Sequence, residues 1–208
     1  MSELFSIQLQ NRQQQGRDGI WLDLPTTTEQ VQAALRQIGI SSDNPQGLFI
    51  SGYFAEEEKR FAIPYNMVLA SNVDELNFLA SRLETLSTGE RAELNAALQA
   101  PQSELFSIGR ITDFPENVDY YVHLPDVHGP AQLGDYYLNR SGMVDMPEEW
   151  KGGIDTAQFG RYVAQQEQGA FTQYGYLVKS GDEWQKVHEG QPVPEEYRVL
   201  SFPAPEVL

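Results

Sequence analysis

Between residues 5 and 54 the apolar residues change their period twice, and that rhythm admits few local architectures. Phe5, Ile7 and Leu9 alternate with polar neighbours, and Ile20, Leu22 and Leu24 repeat the pattern with Trp21 and Asp23 on the opposite face. Period two marks half-buried strands. The polar stretch between them carries Gly16 and Gly19 for a hairpin connection, and Pro25 stops the second strand. Thr26 and Glu29 have the spacing of a capping box, in which the hydroxyl accepts an N–H three residues on and the carboxylate reaches back. Val31, Ala34, Leu35 and Ile38 then follow at helical spacing, with Gly39 placed to end the helix. A further strand, 48–54, completes a ββαβ unit: a three-stranded antiparallel sheet covered by one helix.

The next stretch is helical. Leu76, Leu79, Ala80, Leu83 and Leu86 form one stripe, opened by Ser71 or Asn72; Ser87 and Glu90 form a second capping box before Leu94, Ala97 and Leu98. The short turn predicts an antiparallel helix pair. Beyond Pro101 the pattern is mixed. Strands are expected over 119–124, 171–179 and 184–188, the last two as a hairpin around Ser180-Gly181-Asp182, and helices over 133–141 and 154–167, closed by Gly142 and Gly169. The fold class is therefore α+β, an elongated chain of three small domains: 1–62 as the N-terminal ββαβ domain, 63–104 as a helical middle, and 105–208 as a mixed α+β domain.

Charge is the strongest statement about partners. The chain has 30 acidic against 14 basic side chains, a net charge of −16 in 208 residues, spread along its length. Like charges repel, so direct binding to nucleic acid or an anionic membrane is disfavoured. The absence of cysteine removes disulfides, thiolate nucleophiles and Cys-ligated zinc together. MSELFSIQLQNRQQQ lacks the apolar core of a signal peptide, and no apolar run reaches the roughly 18 residues of a membrane span. The expectation is a reduced, cytoplasmic protein.

Catalytic chemistry finds little support. His123-Leu124-Pro125-Asp126-Val127-His128 is the one run of metal-like residue types, but Pro125 denies the two histidines a shared helical face. A hydrolase built on His123, Asp126 and His128 is the weakest of three readings. His188 has no serine elbow for a partner, and there is no P-loop or G-x-G-x-x-G. Carboxylate pairs are abundant, and Asp74-Glu75 and Glu148-Glu149 are explained as complements to helix N-termini. No catalytic residue, metal ligand or cofactor site is assigned.

What stands out is the run from Asp113 to Glu149. Eight acids, Asp113, Glu116, Asp119, Asp126, Asp135, Asp145, Glu148 and Glu149, face Arg140 alone, a net of −7. Tyr120, Tyr121, Tyr136 and Tyr137 are interleaved, offering rigid amphipathic area of the kind interfaces use.

A series of stretches runs in order along the chain: Gly19-Ile20-Trp21-Leu22-Asp23-Leu24-Pro25, Phe49-Ile50-Ser51-Gly52-Tyr53, Glu75-Leu76-Asn77 and Ala92 to Leu98. The most specific are Leu133-Gly134-Asp135-Tyr136-Tyr137 and Gly153 to Arg161, followed by Gly169 to Tyr176 and Val193 to Val199. In these stretches the chain resembles the ArdA family of antirestriction proteins. The resemblance implies a DNA mimic, commonly carried on mobile elements. It would be an elongated homodimer whose carboxylates imitate phosphates and occupy the DNA-binding groove of type I restriction-modification enzymes. It implies inhibition of cleavage, and of modification in many cases, with no enzymatic activity. Asp113, Glu116, Asp119, Asp126, Asp135, Asp145, Glu148, Glu149, Glu56, Glu57 and Glu58 are the candidate phosphate mimics, and Asp155, Phe159 and Arg161 the candidate dimer interface. Arg12, Arg17 and Arg36 dilute the charge of the first segment. The alternative is a non-catalytic adaptor of a mobile element on the same fold, binding through the tyrosines.

Overall fold

The computed structural model describes residues 4–205 except 15, 17 and 102. Arg17 thus lies outside the described residues. The architecture is α+β, with two three-stranded antiparallel sheets and several helices. The chain divides into two compact units: residues 4–86, 105–115 and 186–205 form the first, and residues 87–104 and 116–185 the second. Of the expected boundaries, 104/105 is a point where the chain passes from one unit to the other, and 62/63 falls inside unit one.

In unit one, strands β1 (Phe5–Asn11), β2 (Ile20–Leu24) and β3 (Leu48–Phe54) lie in the order β2-β1-β3. Ile7 stands opposite Leu22 on one side and Tyr53 on the other. Phe5, Ile7 and Leu9 are buried together with Val31 and Leu35 of helix α1 (Thr28–Gln37), as the two periodicities require. The capping box sits one residue later than expected: Thr27 is the N-cap and Gln30 its reciprocal partner. Thr26 is drawn into the interior instead, its N–H donating to Asn77 Oδ1 at 2.8 Å. Gly39 adopts φ +68° just past the helix, a conformation that favours glycine.

Helix α3 (Val73–Glu84), capped by Asn72 and Glu75, buries the expected stripe. It packs in unit one with β2 and the short α5 (Ile108–Thr112), while α2 (Tyr65–Leu69) lies against β3. The segment after residue 186 is laid onto this unit by side-chain acceptors. Asp74 Oδ1 accepts the N–H groups of Val199 and Leu200, both at 2.7 Å, and Asn77 Nδ2 donates to the Tyr197 carbonyl at 3.0 Å.

In unit two, strands β4 (Tyr121–Leu124), β5 (Ala170–Thr172) and β6 (Gly175–Lys179) lie in the order β4-β6-β5. Helix α4 (Thr88–Gln99), capped by Ser87 and Glu90 as expected, packs on β6 and β4 through a face that buries Leu94, Ala96 and Ala97. Helices α6 (Pro130–Asp135) and α8 (Thr156–Glu167) make the tightest packing of this unit. A Cβ on Gly134 would lie on the Thr156 carbonyl, and one on Gly160 on the Pro130 carbonyl, so the two backbones touch.

Two expected elements are corrected. The helix over 133–141 is α6 starting at Pro130, continued by a π-helical turn from Tyr136 to Arg140. The expected strand at 184–188 is absent: the hairpin joins β5 to β6 around Gln173-Tyr174. The reason is where the backbone donors go. In unit two the Gln185 N–H is taken by Asn117 Oδ1 (2.7 Å), and in unit one those of Val187, His188 and Glu189 are taken by Asp113. Side chains satisfy these groups, so no ladder forms.

Candidate functional site

Unit two carries most of the candidate acids. Glu116 and Asp119 lie on the approach to β4, Asp126 on the loop after it, and Asp135 at the end of α6. Asp145 lies on the loop after the π turn, and Glu148 and Glu149 in the short helix α7 (Glu148–Lys151). All seven reach solvent, Asp135 half-buried and the others exposed. Two hold cations of their own: Arg140 lies 3.5 Å from Asp135, and Lys151 Nζ lies 2.6 Å from Glu148.

Asp113 leaves the set. It is fully buried, and its two oxygens accept the N–H groups of Val187 (3.2 Å), His188 (2.6 Å) and Glu189 (3.1 Å). A carboxylate so enclosed organises backbone and offers nothing to a partner. In unit one Glu56 and Glu57 are exposed, with Lys59 3.5 Å from Glu56; the Glu58 side chain lies outside the described residues.

One acid that composition hid is Glu93 on α4. Its carboxyl is pushed up to about 8, first by burial and then by the neighbouring charges of Glu90 and Asp119. It holds its proton near neutrality and adds no charge to the acidic surface. The tyrosines, expected in part at an interface, are largely engaged in packing. Tyr121 is buried, and Tyr120 lies edge-on against both Tyr121 and Trp184. Tyr136 lies edge-on against Tyr137. Tyr137 and Tyr176 both donate to Glu167, at 2.5 and 3.0 Å, and burial followed by that carboxylate raises both phenols above their usual range. Gly169 makes room for the Tyr176 phenol. A glutamate at the end of an amphipathic helix carries no sequence mark of this role.

His123, Asp126 and His128 are not brought together. His123 Nε2 lies 2.7 Å from the Tyr174 carbonyl, which requires that nitrogen to carry the proton and donate. His128 and Asp126 are exposed. At the candidate dimer face, Asp155 is the N-cap of α8 and accepts from the Ala157 and Gln158 N–H groups. Phe159 is half-buried, and Arg161 and its neighbour Tyr162 are exposed.

What the arrangement offers chemically is a display of carboxylates on fixed backbone. Among the described residues no helix is long and apolar enough to cross a membrane. A comparison with curated proteins finds no match. The sequence model of the family described as antirestriction protein (ArdA) matches residues 15–178 of the 208, from β2 to all but the last residue of β6, and includes the acidic stretch between Asp113 and Glu149. The chain belongs to the ArdA antirestriction family.

Proposed function

We propose that this antirestriction protein acts by DNA mimicry, filling the DNA-binding groove of type I restriction-modification enzymes and blocking cleavage. The observation that carries this reading is the exposed, nearly unopposed acid set of unit two: seven carboxylates between Glu116 and Glu149 reach solvent, with Arg140 the one base in that stretch. A groove that binds B-form DNA faces one negative charge per about 1.7 Å of helix axis and is lined with Lys and Arg. Carboxylates presented at its mouth release the same counterions and are steered by the same field. No base sequence need be read and no bond broken, so the activity needs neither a catalytic residue nor a cofactor. The protein works in the cytoplasm, where such enzymes meet incoming DNA, and its gene travels with a mobile element. It acts as a homodimer through the face bearing Asp155, Phe159 and Arg161.

The test is cleavage of unmodified plasmid by a purified type I enzyme, with the protein titrated in at several salt concentrations. Six to ten mimicked phosphate contacts lose roughly 10³ to 10⁵ in affinity between 50 and 200 mM salt. Protection that fades on that scale supports mimicry; protection indifferent to salt refutes it. Sedimentation of an Arg161→Glu variant checks the dimer face.

A further inference from the structure

In the loop between the π turn and α8, charge and an aromatic ring are presented together. Trp150 is 67% exposed and Met143 is 74% exposed, the two most solvent-accessible large apolar side chains of the described residues. Single exposed apolar residues are ordinary on protein surfaces. Trp150 differs in three respects. First, it has no ring partner among the described residues, whereas Trp184 lies against Tyr120 and Trp21 against Phe54. Second, its backbone is held: its N–H donates to the Pro147 carbonyl and its own carbonyl accepts the Gly153 N–H, both at 3.0 Å. The indole therefore stands on a formed helical turn. Third, Glu148 and Glu149 directly precede it and Asp145 lies one short step upstream, all exposed, while Lys151, the one base from 141 to 155, is folded onto Glu148.

Nucleic acid offers a partner two things at once: anionic oxygens and, a few ångströms away, the flat face of a base. Proteins that hold DNA use cationic side chains for the first and aromatic, apolar or guanidinium surfaces for the second. Resting on the DNA-mimic reading above, we infer that Trp150 is the base-like element of the mimic, an indole flanked by carboxylates that stacks on a base-contacting surface inside the partner's cationic groove. The acids supply the long-range, salt-sensitive part of binding. Trp150 supplies a short-range part that salt does not screen, and with it a fixed seat in the groove.

The experiment measures inhibition of a purified type I enzyme on unmodified plasmid at four salt concentrations, for the full-length wild type and the W150A, W150F and E148Q/E149Q variants. W150A is expected to weaken inhibition about 10- to 100-fold at every salt concentration, leaving the slope of log affinity against log salt unchanged. W150F restores most of the loss, and E148Q/E149Q lowers the slope. W150A within twofold of wild type, while E148Q/E149Q still lowers the slope, overturns the role of Trp150 and leaves the mimicry standing. A W150A effect that vanishes with salt, or one accompanied by a changed sedimentation coefficient, also overturns it: the ring would then act through charge placement or at a contact between copies of this chain. Absence of inhibition by the wild type at every salt concentration defeats the underlying reading itself.

Discussion

Asp113 Oδ1 accepts the backbone N–H of His188 at 2.6 Å, while Oδ2 accepts those of Val187 and Glu189. Three consecutive backbone donors, the first two of which in the sequence read as part of a strand, converge on one buried carboxylate. Asp113→Ala leaves all three without that acceptor in the interior and is expected to cost about 2–4 kcal/mol of stability. Asp126→Asn, at an exposed position, should stay within about 0.5 kcal/mol. Urea unfolding of the two variants side by side measures the contrast. Equal, small effects would show that the carboxylate is dispensable to this segment.

The contact between α6 and α8 leaves no room for side chains. Gly134→Ala and Gly160→Ala each place a methyl on a carbonyl of the opposing helix, at Thr156 and Pro130. Because the obstacle is backbone, rotamer changes cannot relieve it, and each substitution should destabilise by about 1–3 kcal/mol. The double variant should fall short of the sum, since the first separation of the helices relieves the second clash. Thermal unfolding checks both statements. Gly89→Ala, where an added Cβ meets nothing within 4 Å, is the control.

The stability of the fold should depend on pH through Glu93. Its carboxyl is raised from 4.5 to about 8, chiefly by burial. Below pH 4.5 both folded and unfolded chains hold the proton, and there is no penalty. Between about 4.5 and 8 the unfolded chain has released it and the folded one has not, so stability falls as pH rises; above 8 the full penalty stands. Glu93→Gln removes the penalty. Its melting temperature should exceed that of the wild type at pH 9 and match it at pH 4. A constant difference across that range would show that the effect has another origin.

The acidic surface should respond in proportion to the charge removed. Changing Asp119, Asp126 or Asp145 singly to Asn should weaken inhibition less than about tenfold. Changing all three should lower the slope of log affinity against log salt by roughly three times the single-site decrement, about 0.9 per contact. Glu93→Gln should leave the slope unchanged, because that residue is already uncharged near neutrality. Inhibition titrations over a salt series decide both.

Elements set by local periodicity were legible. Phe5, Ile7 and Leu9 announce a strand because alternate residues must face alternate sides, and Asn72 or Ser87 announces a helix because orphan N–H groups need an acceptor nearby. What escaped the reading depends on contacts between residues far apart in the chain. Thr26 and Thr27 are equally good caps by type, and the choice falls on Thr27 because Asn77, 51 residues away, takes the Thr26 N–H. Trp184 to His188 has the composition of a strand, yet Asp113 and Asn117 intercept its donors. Density of charge along a sequence cannot distinguish a buried anchor such as Asp113 from an exposed acid such as Asp126. The exposure of Trp150 is likewise a property of the fold that composition does not carry.

The two stretches of the second unit, 87–104 and 116–185, alternate along the chain with the three described stretches that make the first. During synthesis, both stretches of the second unit leave the ribosome before the 187–200 backbone that Asp74 and Asp113 bind. The unit whose sheet is translated first is thus the later to close, its two acceptor carboxylates held open while the acidic unit folds ahead of it. The segment that closes it also begins beyond residue 178, where the family match ends. A chain trimmed to the matched region would keep the acidic unit almost whole but strip the first unit of both this closing segment and its central strand, β1.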